Sequence, residues 1–448
     1  MISDQIKIPL PPSPSTIETR WLPWTAGLGS AVWLCALANF INSADRVIMP
    51  IAIGGLSAEY DYTLVQQGWI LSAFPAGYIS SQIIGSCAGS QLGGRRLLLF
   101  VVLLWSLSTL LTPVVASSYH MLIFTRVVLG VGEGLGLPTL YHILSEDAHP
   151  RQRSSAFAYL TAAGSVGQTV ASLICPHLAW EISFYVFGAL GLYWCMLWLR
   201  SNVGLKISPD SDQPLLCQKI GHPLRAWKRF IYLPPLLAIY FAHFCMNWTA
   251  YVIMHWLPTY LRVTFHADPS GVSLAALPYL ANSLFAVGTG HLVDNMVNTH
   301  RMSLRHARVA ATVLGLALPA MLLLAFAFVK SLYLAILLVS LSMGALAFNS
   351  AGHLSNHADV APKCAGITFA ISNTIATLPG LTVGPLTARL VVESSGRWWP
   401  SFVLASALNL LGAVVYANYA VTKQRRIVKC CTGIDEGSSC DLIRMLGG

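Results

Sequence analysis

The chain has 448 residues, of which 55% are hydrophobic and only 10% charged, with a net charge of +9. Soluble domains carry about 25% charged residues, so a mean hydropathy of +0.61 spread over repeated apolar runs excludes an ordinary soluble protein and indicates a polytopic helical membrane protein. The positive charge is no sign of nucleic-acid binding, because the basic residues sit in short loops between apolar runs. Ten cysteines are scattered without CxxC or Cys/His metal spacing, so no disulfide framework, metal or other cofactor is expected.

In chain order, residues 1–24 hold Asp4, Glu18 and the run PLPPSPS with no apolar core, and read as a cytoplasmic tail rather than a cleavable signal. Six apolar spans follow within residues 25–200, near 25–54, 65–88, 97–117, 119–144, 155–177 and 181–200. Residues 201–230 form a central loop carrying Lys206, Asp210, Asp212, Lys219, Arg225, Lys228 and Arg229, too short and polar for a core of its own. Six more spans lie within residues 231–421, near 231–260, 271–294, 306–328, 331–353, 364–388 and 398–421. Residues 422–448 form a second tail, in which Cys430 and Cys431 read as free thiols. The expected fold is an all-α membrane protein of twelve transmembrane helices in two six-helix halves. Loops with Arg95, Arg96, Arg151, Arg153, the central cluster, Arg301, Arg305, Arg308 and Lys363 share one side, and the opposite loops carry only Arg262, Lys330 and Arg397. By the positive-inside rule both termini are cytoplasmic; the composition does not say which membrane.

The charges inside the spans carry the functional signal. The fourth span, MLIFTRVVLGVGEGLGLPTL, holds Arg126 and Glu133, seven residues apart and so on one helix face, about 10 Å apart along the axis. A charge in the bilayer costs on the order of 3 kcal/mol on insertion scales, so both must face protein or water. Gly130, Gly132, Gly134 and Gly136 thin the helix beside them. Two readings follow: a structural Arg–Glu pair joining helices, or a substrate and proton site. Arg46 in the first span lies roughly 12 Å from that span's outer end, a depth similar to that of Arg126 at roughly 10 Å. Two guanidiniums converging on one cavity repel unless an anion lies between them, and guanidinium binds carboxylate or phosphate bidentately. Alternatively, Arg46 pairs with an acid; Asp45, about 100° round the helix, is poorly placed for it. Glu133, in a low-dielectric site, is the candidate proton carrier, or else a permanent counter-ion of Arg126.

His243, Asn247 and Asn373 are candidate substrate ligands on spans seven and eleven, and Met246 is expected to look into the same cavity as Arg46. His255, His353 and His357 read as packing residues, and the polar group around Asn349, Ser350, Asn356, Ser372 and Thr374 also suits interhelical hydrogen bonding. Gly164 and Gly167 suggest close helix packing; Pro258, Pro379 and Pro385 suggest kinks. Asp294, Arg95 and Arg96, at cytoplasmic span ends, are candidate gating residues. No nucleophile–base ordering or phosphate-cradling loop is present, so an enzyme is not expected. A non-transporting sensor or scaffold on the same fold is the reading from another class.

Six spans, a charged loop and six more spans resemble the major facilitator superfamily, whose halves are parallel repeats. The segments ADRVIMPIAI, TRVVLGVGEGLGLPTL, HFCMNW, WLPTY and SNHADVAPKCAGITFAISNT resemble the anion transporter family. That family includes plant type-4 phosphate transporters, sodium-phosphate and sialic acid carriers, and vesicular glutamate and nucleotide transporters. The plant phosphate branch is the nearest in DRV, HFC-x-NW and ISNT. The resemblance implies alternating access of a small anion driven by protons, sodium or membrane potential. It also implies anion-binding roles for Arg46 and Arg126 and a proton-linked role for Glu133. There are departures. The loop GSCAGSQLGGRR has Ser90 where the superfamily keeps an acid that helps close the cytoplasmic side, whereas Asp294 is kept in the second half. Leu71 and Met246 replace a histidine and an arginine of vesicular glutamate carriers. The resulting expectation is a symporter of a small anion, inorganic phosphate before a carboxylate, ascorbate or sugar acid, with H+ or Na+ as coupling ion. It is expected to be a monomer in the lipid bilayer with no nucleic-acid partner.

Overall fold

The computed structural model describes residues 30–147, 153–201, 233–361 and 365–420. The two tails, most of the central loop, Cys430, Cys431 and the side chain of Ser90 lie outside the described residues. The first half comprises α1 (Ser30–Tyr60), α2 (Leu64–Leu92), α3 (Gly94–Val115), α4 (Tyr119–Asp147), α5 (Arg153–Ile174) and α6 (Trp180–Arg200). The second comprises α7 (Pro234–Phe265), α8 (Ala276–Asn298), α9 (Leu304–Phe326), α10 (Leu332–Leu346), α11 (Ala365–Glu393) and α12 (Trp399–Tyr419). Between α7 and α8 lies a short helix, Pro269–Ser273, and α10 continues through two further pieces, Phe348–Ala351 and His353–Val360.

The helix ends follow local chemistry. Thr63 closes a capping box at the start of α2: its side chain accepts from Gln66 N at 3.3 Å while Gln66 Oε1 accepts from Thr63 N at 2.9 Å. Pro234 and Pro235 open α7, where their missing N–H groups cost nothing. Gly93 separates α2 from α3 at φ 79°, a conformation that favours glycine.

Nine stretches among the described residues are long and apolar enough to cross a membrane; they coincide with α3, α4, α6, the α7-to-α12 helices and their short continuations. The other three helices, α1, α2 and α5, have 31, 29 and 22 residues. They are long enough to cross as well, and Asn39, Asn42 and Asp45 of α1 are buried in the protein. The lipid-facing surface shows on α3, where Phe100, Leu103, Leu107, Leu111 and Val114 are exposed at three- and four-residue spacing while Val101, Val102 and Trp105 are buried.

One packing pattern occurs twice. In the first half α1 packs on α5 and α6, α2 on α4, and α3 on α4 and α6. In the second half α7 packs on α11 and α12, α8 on α10, and α9 on α10 and α12. The halves meet along α2–α11, α5–α8 and α1–α7, which are symmetry-equivalent pairs in this repeat.

Helices without a hydrophobic force between them associate through close packing, and small residues permit it. A Cβ on Gly130 would collide with the Phe74 carbonyl of α2, and one on Gly77 with the Val127 carbonyl of α4. Across the halves, a Cβ on Gly384 would strike the Gly68 backbone. Gly132 and Gly136 face Trp105 of α3, and Gly164 and Gly167 abut Asn39 and Phe40 of α1, the close packing expected of them. Replacing Gly130 with leucine is expected to abolish the folded, monodisperse peak in detergent size-exclusion chromatography, because backbone blocks the side chain and cannot yield cheaply. Gly288→Ala, with open space around the new methyl, should leave that peak unchanged.

Candidate functional site

Helix α1 brings Arg46 and Asp45 to the middle of the bundle, and α4 brings Arg126 and Glu133. Arg46 Nε donates to Glu133 Oε2 at 2.8 Å. The Glu133 side chain is fully buried and that of Arg46 is 24% exposed. The Arg46 guanidinium lies over two aromatic rings of α2, 4.9 Å from the Tyr78 centroid and 5.5 Å from that of Phe74, close enough for cation–π attraction. Arg126 is 3% exposed, and its Nε has no hydrogen-bond partner among the described residues. The partner of Glu133 is therefore an arginine on another helix rather than Arg126 on its own. Sharing a helix face brought Arg126 and Glu133 near one another, but Arg46 reaches the carboxylate first.

Asp45 is 1% exposed and accepts from Thr109 Oγ1 at 3.3 Å; its second oxygen has no partner among the described residues. Burying a carboxylate is compensated only by pairing and hydrogen bonding. Among the described residues Glu133 has such a pair and Asp45 does not. Sequence reasoning treated Asp45 only as a poor partner for Arg46. The signal that could have found it is the three-residue spacing of Asn39, Asn42 and Asp45, which draws a polar stripe along an otherwise apolar helix.

Arg46 and Arg126 line one cavity with Met49, Pro50, Leu71, Phe74, Met254 and His255. Its free space of about 10 Å³ is roughly one water site, too little for an anion unless the helices part. His255 is buried, and its Nδ1 has no partner among the described residues.

Among the described residues, Thr374 Oγ1 of α11 donates to Gln82 Oε1 of α2 at 3.3 Å toward the terminal side, and the other side-chain hydrogen bonds between the halves lie at the end of the bundle opposite the termini. Arg262 Nη1 on α7 donates to the Ile51 carbonyl of α1 at 2.7 Å, and Ser273 Oγ donates to the Leu173 carbonyl at 3.0 Å while standing 3.1 Å from His177 Nε2. Beyond Arg262 lies a second cavity of about 490 Å³, bounded by Gly54, Gln67, Trp180 and Thr259 among others. Arg262 and Ser273 thus tie the two halves together on that side.

Other expected site residues lie elsewhere. His243 is buried with Nδ1 2.8 Å from Ser372 Oγ on α11, and it does not line the arginine cavity. Asn247 Nδ2 donates to the Ala376 carbonyl at 2.8 Å, joining α7 to α11. Asn373 is half-buried on α11, where its carbonyl accepts from Thr377 Oγ1 at 2.7 Å. Met246 packs into apolar clusters, and Met254 and His255, two turns further along α7, take the place expected of it. Asp294 and Arg96 are exposed at helix ends. Arg95 braces its own half: Nη2 donates to the carbonyls of Trp198 at 3.0 Å and Ser201 at 2.6 Å, and the guanidinium lies 5.5 Å from the Trp198 ring. A cation there suits the carbonyl end of α6.

Comparison with known proteins agrees with this architecture. Residues 35–382 match the family described as Major Facilitator Superfamily. The sodium-dependent phosphate transport protein 1, chloroplastic, of Arabidopsis thaliana is 32% identical over 422 residues, covering 90% of this chain and 81% of the relative. The chloroplastic ascorbate transporter of the same plant is 32% identical over 408 residues, covering 87% and 74%. Sialin of Homo sapiens is 34% identical over 383 residues, covering 81% and 77%. Among solved structures, a bacterial homolog of the human lysosomal transporter Spinster, inward-facing and occupied, superposes with a TM-score of 0.73 at 14% identity, over 88% of this chain and 96% of the other. A D-xylose–proton symporter gives 0.70 at 14% identity, over 88% and 98%. With this fold, apolar lipid-facing helices and intramembrane arginines, the chain is a multi-pass membrane protein that belongs to the anion transporter family of the Major Facilitator Superfamily.

Proposed function

We propose that this protein carries a small anion, inorganic phosphate in the first instance, across the membrane by alternating access coupled to protons, with Arg46 and Arg126 as ligands and Glu133 as the coupling group. One observation carries the reading: two guanidiniums from different helices share a buried cavity, and the only salt bridge described there ties Arg46 to a carboxylate that a proton can neutralise. Protonating Glu133 removes the charge that holds Arg46. The two guanidiniums then face an anion without a competing carboxylate, so proton and anion binding favour each other, and the coupling is reciprocal. The same logic makes an anion without its proton a poor passenger, which is symport.

The Arg262–Ile51 latch supports a resting state closed at the end away from the termini. The excess of Lys and Arg on the terminal side supports both termini being cytoplasmic. The relatives support the choice of substrate class, since their names include a phosphate transporter and an ascorbate transporter. A second reading, an organic carboxylate, draws on the apolar walls of the cavity: Met49, Leu71, Phe74 and Met254 could cover the carbon body of such an anion.

Uptake into proteoliposomes tests both readings. Labelled phosphate, ascorbate and a sugar acid are offered with an inward proton gradient, with an inward sodium gradient, or with neither. Phosphate accumulation driven by the proton gradient alone is expected. Accumulation of a carboxylate and not phosphate selects the second reading, and dependence on sodium alone removes protons as the coupling ion. A protein that moves none of the three anions under any gradient refutes the proposal.

A further inference from the structure

Away from the arginine cavity, the second half buries three histidines against one another. His243 lies on α7; His353 and His357 lie one turn apart on the last piece of α10, and all three are buried, His353 completely. The rings of His243 and His353 are 5.6 Å apart. Each end of the group touches a hydroxyl of α11: His243 Nδ1 is 2.8 Å from Ser372 Oγ and His357 Nδ1 is 3.1 Å from Thr368 Oγ1. Neither nitrogen of His353, nor Nε2 of His357, has a hydrogen-bond partner among the described residues. A phenylalanine or leucine would fill this space without burying unpaired nitrogens, so packing alone does not explain two imidazoles 5.6 Å apart with a third one helical turn away. Among the described residues no group of three His, Cys, Asp or Glu side chains is arranged to hold a metal.

Their depths form a series. His357 stands three residues, about 4.5 Å, from the end of its helix at Val360; His353 stands seven residues, about 10 Å, from it; and His243 stands nine residues, about 13 Å, from the start of α7. Both helix ends lie on the side of the termini. The surroundings hold few other charges. Arg308 of α9 donates to Asp359 of α10 at 2.7 Å, so that cation is neutralised by its partner. Tyr240 of α7 stacks at 6.2 Å on His357, and Tyr416 of α12 lies 6.2 Å from His353. Cys245 on α7 faces Gly412 of α12, and the α11 side offers Thr368, Ser372 and Phe369.

We propose that His357, His353 and His243 form a proton-binding ladder leading from the terminal-side face into the second half, a site separate from Glu133. A neutral imidazole has one N–H and one free nitrogen, so each ring can accept a proton on one nitrogen and release the other proton to the next acceptor. A proton entering at His357 displaces one to His353 and another from there to His243, which keeps it as an imidazolium beside Ser372, so the group then holds one extra proton and one positive charge. A second-half proton site would let the two halves respond to protons independently, the first through Glu133 and the second through the ladder.

The ladder is tested first by solid-state NMR of 15N-histidine-labelled protein in lipid bilayers, with inorganic phosphate present. Between about pH 7.5 and about pH 5.5, imidazolium signals are expected from rings that cross-relax as close neighbours, and they should disappear in His353→Asn. Three rings that remain neutral through this range overturn the proposal. The second test rests on the transport reading. In proteoliposomes with a trapped pH dye, His353→Asn and His357→Gln should keep phosphate counterflow within about twofold of the parent and lower the protons entering per phosphate by about half, the remainder entering with Glu133. Unchanged proton entry in both variants also overturns the ladder. A parent protein that shows no counterflow defeats the transport reading alone, and the spectra then decide the ladder by themselves; the same holds if a variant fails to fold, because the parent spectrum needs no substitution.

Discussion

Arg126→Lys is expected to reduce anion uptake by about 100-fold or more while leaving the protein folded and inserted. Lysine keeps the positive charge, so the balance against Glu133 and Asp45 survives, and with it the cost of burying those acids. What it loses is the planar fork that grips two oxygens at once. Truncating one member of a buried, charged hydrogen-bonded pair costs about 2–5 kcal/mol, and each 1.36 kcal/mol is a factor of ten. The expectation is sharper here than at Arg46, because Arg46 already spends a hydrogen bond on Glu133, whereas Arg126 keeps its Nε unused among the described residues. The measurement is phosphate uptake normalised to protein that elutes as a folded peak, with binding read separately by the shift in thermal stability that saturating phosphate produces. The parent should be stabilised by phosphate and Arg126→Lys should not. A variant that transports at more than a third of the parent rate would show that Arg126 supplies only charge.

Glu133→Gln separates carrying from coupling. Glutamine keeps the shape of the side chain and still accepts a hydrogen bond from Arg46, but it cannot ionise. In charge it imitates the protonated acid, the form proposed to release Arg46 to the anion. Exchange of labelled for unlabelled phosphate, which needs no net proton movement, should persist within a few-fold of the parent and become nearly independent of pH. Accumulation against a gradient should fall at least tenfold, because the proton no longer has to travel with the anion. The direction of the parent's pH dependence follows from the same linkage: anion binding strengthens as the medium is acidified, since protons on Glu133 and anions on the arginines favour one another. If Glu133→Gln accumulates phosphate as the parent does at every pH, the carboxylate is a structural partner of Arg46 and nothing more.

Much of this protein was legible in its sequence, because a membrane forces it to be. The bilayer dictates helix length, leaves backbone groups no partner but their own helix, and penalises every charge that faces lipid. The spacing of apolar runs, the loop charges and the rarity of intramembrane charge therefore led to the helical architecture and to Arg46, Arg126 and Glu133. Rise per residue is constant in a helix, so counting from the span ends placed Arg46 and Arg126 at one depth, and they do share a cavity.

Counting along one helix, however, does not say how far its neighbour is shifted against it. That shift is decided by contacts such as Gly77 with Val127 and Gly68 with Gly384, where the absence of a side chain sets how closely, and at what height, two helices meet. Tertiary structure alone therefore decided that Glu133 pairs with Arg46 instead of Arg126, and that Met254 and His255 face the arginines where Met246 was expected. It turned Arg95 onto the carbonyl end of α6 and placed His243 beside Ser372 and His353. The break of α10 around Gly352 was equally invisible, since the apolar pattern runs through it. There Asn349 Nδ2 donates to the Gly315 carbonyl of α9 at 2.7 Å, a bond to a neighbouring helix that no local pattern of residues can announce.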